Sequence, residues 1–150
     1  LQLSRTNLID CSHFDTLEVT VTNALPSITP SGEPEVIIFS PFDIDSPFSD
    51  AGFDCAACGP LEDFTATIDW GDETPVEPAA ISEIPGSPGT ATTGTVSGSH
   101  EYDWIGTYTV LVTLTDDDGG SASFTHDVEV LGGRSLKIRA IDLLAPFASQ

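Results

Sequence analysis

Residues 106–131 read GTYTVLVTLTDDDGGSASFTHDVEVL, and this stretch decides the expected fold. Over residues 107–115 apolar and polar side chains alternate, which places one set on a single face of a strand. That face carries Tyr108, Val110, Val112 and Leu114. Asp and Gly at 116–120 favour the backbone angles of a tight turn, and alternation resumes over 121–131. The stretch therefore predicts an antiparallel hairpin.

Further short strands are predicted upstream of this hairpin. The clearest covers residues 64–70, whose apolar face consists of Phe64, Ala66, Ile68 and Trp70. We expect Trp70 to fill the core between two sheets, as buried strand tryptophans do in immunoglobulin-like folds. Other strands are predicted at 17–22, 36–39 and 95–100.

Two long segments look unlike strands. Residues 40–63 are acidic and contain several Pro and Gly, and residues 76–94 are also rich in these turn formers. We interpret the first segment, and most of the second, as loop. No helix of three turns is evident before residue 134. The predicted fold class is all-β, an immunoglobulin-like antiparallel β-sandwich with extended N- and C-terminal segments.

The charge of the chain is extreme, with 24 acids against 4 bases and a formal net charge of -20. Residues 6–133 contain no Lys or Arg. Such a surface repels nucleic-acid phosphates and anionic lipid headgroups, so we expect no nucleic-acid partner. No stretch approaches the roughly 18 consecutive apolar residues of a membrane span, so we expect no membrane insertion. The acidic surface attracts divalent cations and basic proteins. A plainer alternative is that the acids only provide solubility in a salty medium.

Several motifs occur in an order that resembles the PKD (polycystic kidney disease) domain family. They are Asp69-Trp70-Gly71-Asp72, then SHEY at 99–102, then the strand at 106–116. The resemblance covers about residues 36–131 and is closest to PKD domains of large repetitive bacterial and archaeal surface proteins, in which an F-x-D-x-G-x-x-D segment precedes the first motif; here that segment is 48–54. It implies an extracellular or cell-surface location. Glu73 departs from the pattern, because the family usually has Gly there.

The resemblance suggests three parts of the chain. Residues 30–132 form the PKD-like sandwich. Residues 1–29 are an N-terminal extension or the last strand of a preceding repeat. Residues 133–150 are a C-terminal linker or the start of another element, and they hold three of the four bases.

Four carboxylates are the candidate metal ligands: Asp50, Asp69, Asp72 and Asp116. They stand at predicted strand ends and in loops, where carboxylates and backbone carbonyls supply the hard oxygens that Ca²⁺ requires. The resemblance points the same way, since some PKD domains hold Ca²⁺ with acids of this kind. Alternatively, Asp residues in turns only accept hydrogen bonds from nearby backbone N–H groups.

Other side chains have more local expectations. Cys55 and Cys58 are predicted to form a local disulfide in an exported protein, with free thiols or pairing to Cys11 as alternatives. Trp104 and Phe53, both in predicted loops, are candidate contacts for a ligand. For His100, Tyr102 and Tyr108 we expect structural hydrogen bonds near one corner of the sandwich.

The expected function follows from these features. No catalytic motif is recognisable, so we expect no enzyme. The first hypothesis is a structural or spacer and adhesion module of a larger secreted or surface protein, rigidified by Ca²⁺, whose partners are neighbouring repeats or protomers. The alternatives are a module that binds glycan, matrix or a basic protein, and a filament subunit whose N-terminal strand joins a neighbour's sheet.

Overall fold

A computed structural model describes residues 22–53 and 62–133 of the chain. The predicted strand at 17–22 lies outside this part except for Thr22, which is not in a strand. Cys11, Cys55 and Cys58 also lie outside it, so the Cys55–Cys58 disulfide stays a prediction.

The described residues form an all-β sandwich without a helix, as predicted. One sheet has the strand order β1-β3-β7-β6 and the other the order β2-β9-β8-β4-β5. All neighbours are antiparallel except β2 and β9, which are parallel. The strands are β1 Ser27–Ile28, β2 Glu35–Ile37, β3 Pro41–Asp50, β4 Phe64–Asp69, β5 Glu77–Pro78, β6 Ala80–Ile84, β7 Thr92–Glu101, β8 Gly106–Asp116 and β9 Ser121–Leu131.

The core lies between the two sheets and is built from their alternating inward positions. On β4 and β8 the predicted apolar faces are confirmed, apart from Tyr108, which is only half-buried. Trp70 is 1% exposed, as expected, and its ring meets that of Phe42 edge-on at 6.3 Å. The hairpin of β8 and β9 is also confirmed, with its turn closed by a hydrogen bond from the Gly119 N–H to the Asp116 carbonyl.

The loop predicted at 40–63 is wrong over its first half, because residues 41–50 form the ten-residue strand β3. Strict alternation is present there, with the inward positions occupied by Phe42, Ile44, Ser46, Phe48 and Asp50. The acids and prolines that suggested a loop mostly occupy the outward positions, where charge is tolerated.

Pro47 is compatible with this central strand for a geometric reason. Its carbonyl accepts a hydrogen bond from the Thr29 N–H just beyond β1. In a strand the N–H and C=O of one residue point to the same side, so the missing N–H of Pro47 also faces β1. The hydrogen bonds between β3 and its long neighbour β7 are therefore unaffected by the missing N–H.

The loop predicted at 76–94 is also partly wrong, since β5 and β6 lie within it. Both are edge strands that need one neighbour only, so their short length and low apolar content suffice. Ile81 of β6 packs against the core, while Ile84 at its end is 68% exposed.

The chain enters and leaves the sandwich at opposite ends. Ser27 of β1 pairs with Ser49 near the end of β3, whereas Leu131 at the end of β9 pairs with Ile37, just before β3 begins. Because β1 is hydrogen-bonded into this sandwich, the sandwich starts before residue 30. β3 runs between the two ends, a distance of about 30 Å for ten residues.

Candidate functional site

The structure divides the four predicted metal ligands into two pairs. Asp116 pairs with Phe64 at the start of β4, whereas Asp69 pairs with Leu111 five residues further along, which is about 17 Å of strand. Asp72 follows Asp69 at that far end. Asp50 lies at the same end as Asp116, because both carboxylates are close enough to Glu62 to raise its pKa. The four carboxylates therefore cannot bind one common ion.

The first pair belongs to a group that we call the acidic end: Asn23, Asp50, Glu62, Asp116 and Asp118. Asp116 is 5% exposed, and both of its oxygens have donors. Its Oδ1 accepts from the Gly120 N–H at 2.6 Å, and its Oδ2 accepts from Asn23 Nδ2 at 2.9 Å. Asn23 thereby attaches the segment before β1 to the turn after β8.

Asp50 is the unusual member of the acidic end. It is 3% exposed, and its Oδ1 accepts from the Gly52 N–H at 2.6 Å. Its Oδ2 is buried and has no hydrogen-bond partner within the part of the chain that the structure describes. A buried carboxylate oxygen without a donor is costly unless a cation or water compensates it.

Glu62 reports the electrostatic potential at the acidic end. Burial, followed by repulsion from Asp50, Asp117, Asp116 and Asp118, raises the pKa of Glu62 from 4.5 to about 7. Gly52 separates Glu62 from Asp50, and a Cβ at this position would overlap the Glu62 carboxylate. Several acids therefore converge on one small region that repels further negative charge.

A cavity of about 320 Å³ opens at the acidic end, lined in part by Asn23, Gly52, Glu62 and Asp118. Among residues 22–53 and 62–133, no three His, Cys, Asp or Glu side chains already stand in a metal-binding arrangement. Any cation here would therefore also use the Asn23 amide or backbone carbonyls, which are ordinary Ca²⁺ ligands.

The second pair of acids lies at the opposite end, where Asp72 takes part in a structural cluster. Its Oδ2 lies 2.8 Å from His100 Nε2, and its Oδ1 accepts from the Thr74 hydroxyl. Burial disfavours the Asp72 carboxylate, but the bonds from Thr74 and His100 outweigh burial and lower its pKa. The His100 ring stacks on Trp70 at 5.0 Å, so the hydrogen bond expected for His100 is present.

Two tyrosines complete this corner, as expected. The Tyr102 hydroxyl donates to the Trp70 carbonyl at 3.0 Å, and the Tyr108 hydroxyl donates to the Trp104 carbonyl at 3.0 Å. Their rings stack at 4.5 Å. Burial raises the pKa of Tyr102, so its hydroxyl remains a donor throughout the ordinary pH range.

The two aromatic residues predicted to contact a ligand do not share a surface. Trp104 is 77% exposed next to the tyrosine corner, whereas Phe53 is half-buried beside Gly52 at the acidic end. Three more exposed apolar side chains, which the sequence analysis missed, belong to segments at the same end of the sandwich: Ile37, Phe39 and Ile105, which are 43%, 65% and 65% exposed. We call these four residues the apolar patch. Adjacent apolar residues at 104 and 105, in a segment too short for a strand, were the only signal.

Comparisons with known proteins do not assign a family. No family model matches the chain, and no curated protein matches its sequence. Over the described residues, no helix is long and apolar enough to cross a membrane.

Proposed function

We propose that this chain is a non-catalytic structural module, of the PKD type, in a larger extracellular or cell-surface protein. In this proposal it sets the distance between neighbouring repeats or protomers and contributes to adhesion. A divalent cation, Ca²⁺, rigidifies it at the acidic end.

The observation that carries the proposal is the path of the chain. It enters near Ser49 and leaves at Leu131, at opposite ends of a sandwich about 30 Å long. Modules connected in this way can be joined in series, each adding its own length. The strand orders also support an immunoglobulin-like arrangement, in which one sheet holds the first strand and the other the central hairpin.

The cation would act on the junction that precedes the module. Asn23 lies before β1 and already hydrogen bonds to Asp116. A Ca²⁺ ion held by Asp50 Oδ2, with oxygens of its neighbours, would tie that incoming segment to β3 and β8. It would also neutralise the mutual repulsion of the acids. This second effect makes binding more favourable in a chain of net charge -20.

The only described imidazole–carboxylate ion pair supports a structural interpretation over catalysis. His100 contacts Asp72 and stacks on Trp70, and no described Ser, Thr or Cys hydroxyl or thiol hydrogen bonds to its ring. A nucleophile activated by this histidine would need such a contact.

Calcium titration by calorimetry, with thermal unfolding in parallel, tests the proposal. Extracellular modules bind Ca²⁺ with dissociation constants of about 0.1–1 mM, so about 10 mM Ca²⁺ should stabilise the chain by about 1.4–2.7 kcal/mol. Asp50→Asn should abolish binding, and it should raise the melting temperature in chelator because it removes an uncompensated charge. Asp43→Asn is the matched control, since Asp43 lies exposed on the outward face of the same strand.

Three outcomes would contradict the cation part of the proposal. They are absence of saturable binding, an unchanged melting temperature, and equal effects of the two variants. The acids would then serve as a salt-adapted surface. The spacer part has its own readout: scattering from two copies of the full chain joined in tandem should show an extended particle, and a compact one would refute it.

A second candidate function rests on the exposure of Trp104, which is 77%. Exposed aromatic residues are common contacts for glycans and protein partners. If this chain is a binding module, Trp104→Ala should abolish retention on a glycan or matrix array and leave thermal stability unchanged. The filament alternative predicts instead that deletion of residues 1–25 abolishes assembly.

A further inference from the structure

The apolar patch surrounds the point where the chain leaves the sandwich. The backbone N–H of Phe39 donates to the Tyr102 carbonyl, two residues before Trp104. A methyl group at Gly132 would lie 3.9 Å from the Ile105 side chain, and one at Gly133 would lie 3.8 Å from Ile37. The described part of the chain therefore ends beside the patch.

Phe39 makes the patch more than a chance exposure of apolar side chains. Its φ angle is 60°, in the left-handed region that bulky residues avoid. The side chain presented by this backbone is 65% exposed to solvent. An exposed aromatic group held by a strained backbone suggests a contact outside the described residues.

The rim of the patch is acidic. Glu35 and Glu129 lie directly opposite each other on the parallel strands β2 and β9, and both are exposed. Like charges at such positions repel. A depression of about 310 Å³ between Ile105 and Leu131 includes Glu129 in its wall. The exposed acids Glu101 and Asp103 are close in sequence to Trp104. No described residue is a Lys or Arg that could balance them.

Residues 134–150 have the composition that this surface lacks. They read RSLKIRAIDLLAPFASQ, with three of the four bases of the chain and a single acid, Asp142. Their apolar side chains include Leu136, Ile138, Ile141, Leu143 and Leu144. They also follow directly on Gly133, beside the patch, so the entropic cost of bringing the two together is small.

We propose that residues 134–150 cover the apolar patch of their own chain. Apolar side chains of the segment lie over Phe39 and Trp104, and its bases neutralise Glu35 and Glu129. The inference is independent of Ca²⁺ and of the spacer role. An external ligand of Trp104 would have to displace the segment first.

Tryptophan fluorescence of the full chain tests this proposal, because the chain has two tryptophans and Trp70 is buried. In the wild type, Trp104 should be shielded from acrylamide. The double variant Leu136→Ser/Ile138→Ser should raise the quenching constant roughly twofold and shift emission to the red, as the side chain regains its free exposure. Lys137→Glu should give a smaller change of the same sign. Ile84→Ser, at an exposed position of the other sheet, is the matched control and should change neither quantity.

Trp104→Phe provides the signal of Trp70 alone and verifies that each variant keeps its core. The proposal is overturned if Trp104 is quenched as readily in the wild type as in the double variant. It is also overturned if the shielding disappears on dilution and sedimentation shows a dimer, because a second copy would then cover the patch.

Discussion

The hydrogen bonds of Tyr102 and Tyr108 test whether burial determines how much a hydrogen bond contributes to the free energy of unfolding. Both hydroxyls donate to a backbone carbonyl at 3.0 Å, but Tyr102 is 1% exposed and Tyr108 is only half-buried. Replacing either with Phe keeps the stacked ring and removes only the hydroxyl. The two variants therefore differ mainly in whether water can reach the carbonyl that is left without its donor.

The expected magnitudes follow from that difference. Tyr102→Phe leaves the Trp70 carbonyl buried and unsatisfied, which costs about 1–3 kcal/mol. In Tyr108→Phe water replaces the lost donor at the Trp104 carbonyl, and the net cost is about 0.5 kcal/mol. For a sandwich of this size, about 4 °C of melting temperature corresponds to about 1 kcal/mol, so we expect losses of about 8 °C and about 2 °C.

Thermal unfolding followed by near-ultraviolet circular dichroism measures both shifts, and urea unfolding verifies that the slope with denaturant is unchanged. Equal losses for the two variants would refute the reasoning, because burial would then not determine the value of these bonds. A larger loss for Tyr108→Phe would assign the structural role to the bond at Trp104 instead.

Three further predictions concern charge and backbone strain. The pKa of Asp72 is lowered below 3.8, so its stabilising effect is present above that pH and is lost as the pH falls. Urea unfolding should show that Asp72→Asn lowers the free energy of unfolding more at about pH 6 than at about pH 3. Equal losses at the two pH values would contradict this. Glu73 has a φ of 69°, so Glu73→Gly should raise stability by about 1 kcal/mol, whereas the control Glu73→Ala should not. The pKa of Glu62 is raised to about 7, so its favourable contribution to folding stability is full below 4.5 and is lost as the pH rises through 7. In chelator, melting curves should therefore show Glu62→Gln stabilising the chain at about pH 8 and leaving it unchanged at about pH 4. The reverse order would refute burial and repulsion as the cause of the raised pKa.

The sequence was most informative where structure depends on neighbours along the chain. Alternation over 107–115 and the Asp-Gly turn after it are local properties, and they predicted β8, β9 and the turn between them. The buried position of Trp70 and the hydroxyl bond of Tyr108 followed from the same local pattern. For the hairpin and for Tyr108 the determining partner lies within a few residues or on the adjacent strand.

The strand β3 shows where such reasoning is insufficient. Its prolines and acids favour a loop when taken alone, and its alternation becomes decisive only because β7 supplies hydrogen bonds from about 50 residues away. A central strand can carry Pro47 only if the side with the missing N–H faces a short neighbour. That neighbour, β1, is selected by the tertiary fold.

For the candidate site too, the sequence determined one part and the tertiary structure the other. The sequence by itself determined that carboxylates would be abundant at strand ends, and it selected Asp50 and Asp116 as metal-ligand candidates. Only the tertiary structure decided that these two share one end with Asn23 and Glu62, while Asp69 and Asp72 occupy the other. Composition and spacing determine which groups a strand offers, but strand pairing across tens of residues determines which groups meet, because the energy of pairing comes from burial that no single segment can achieve alone.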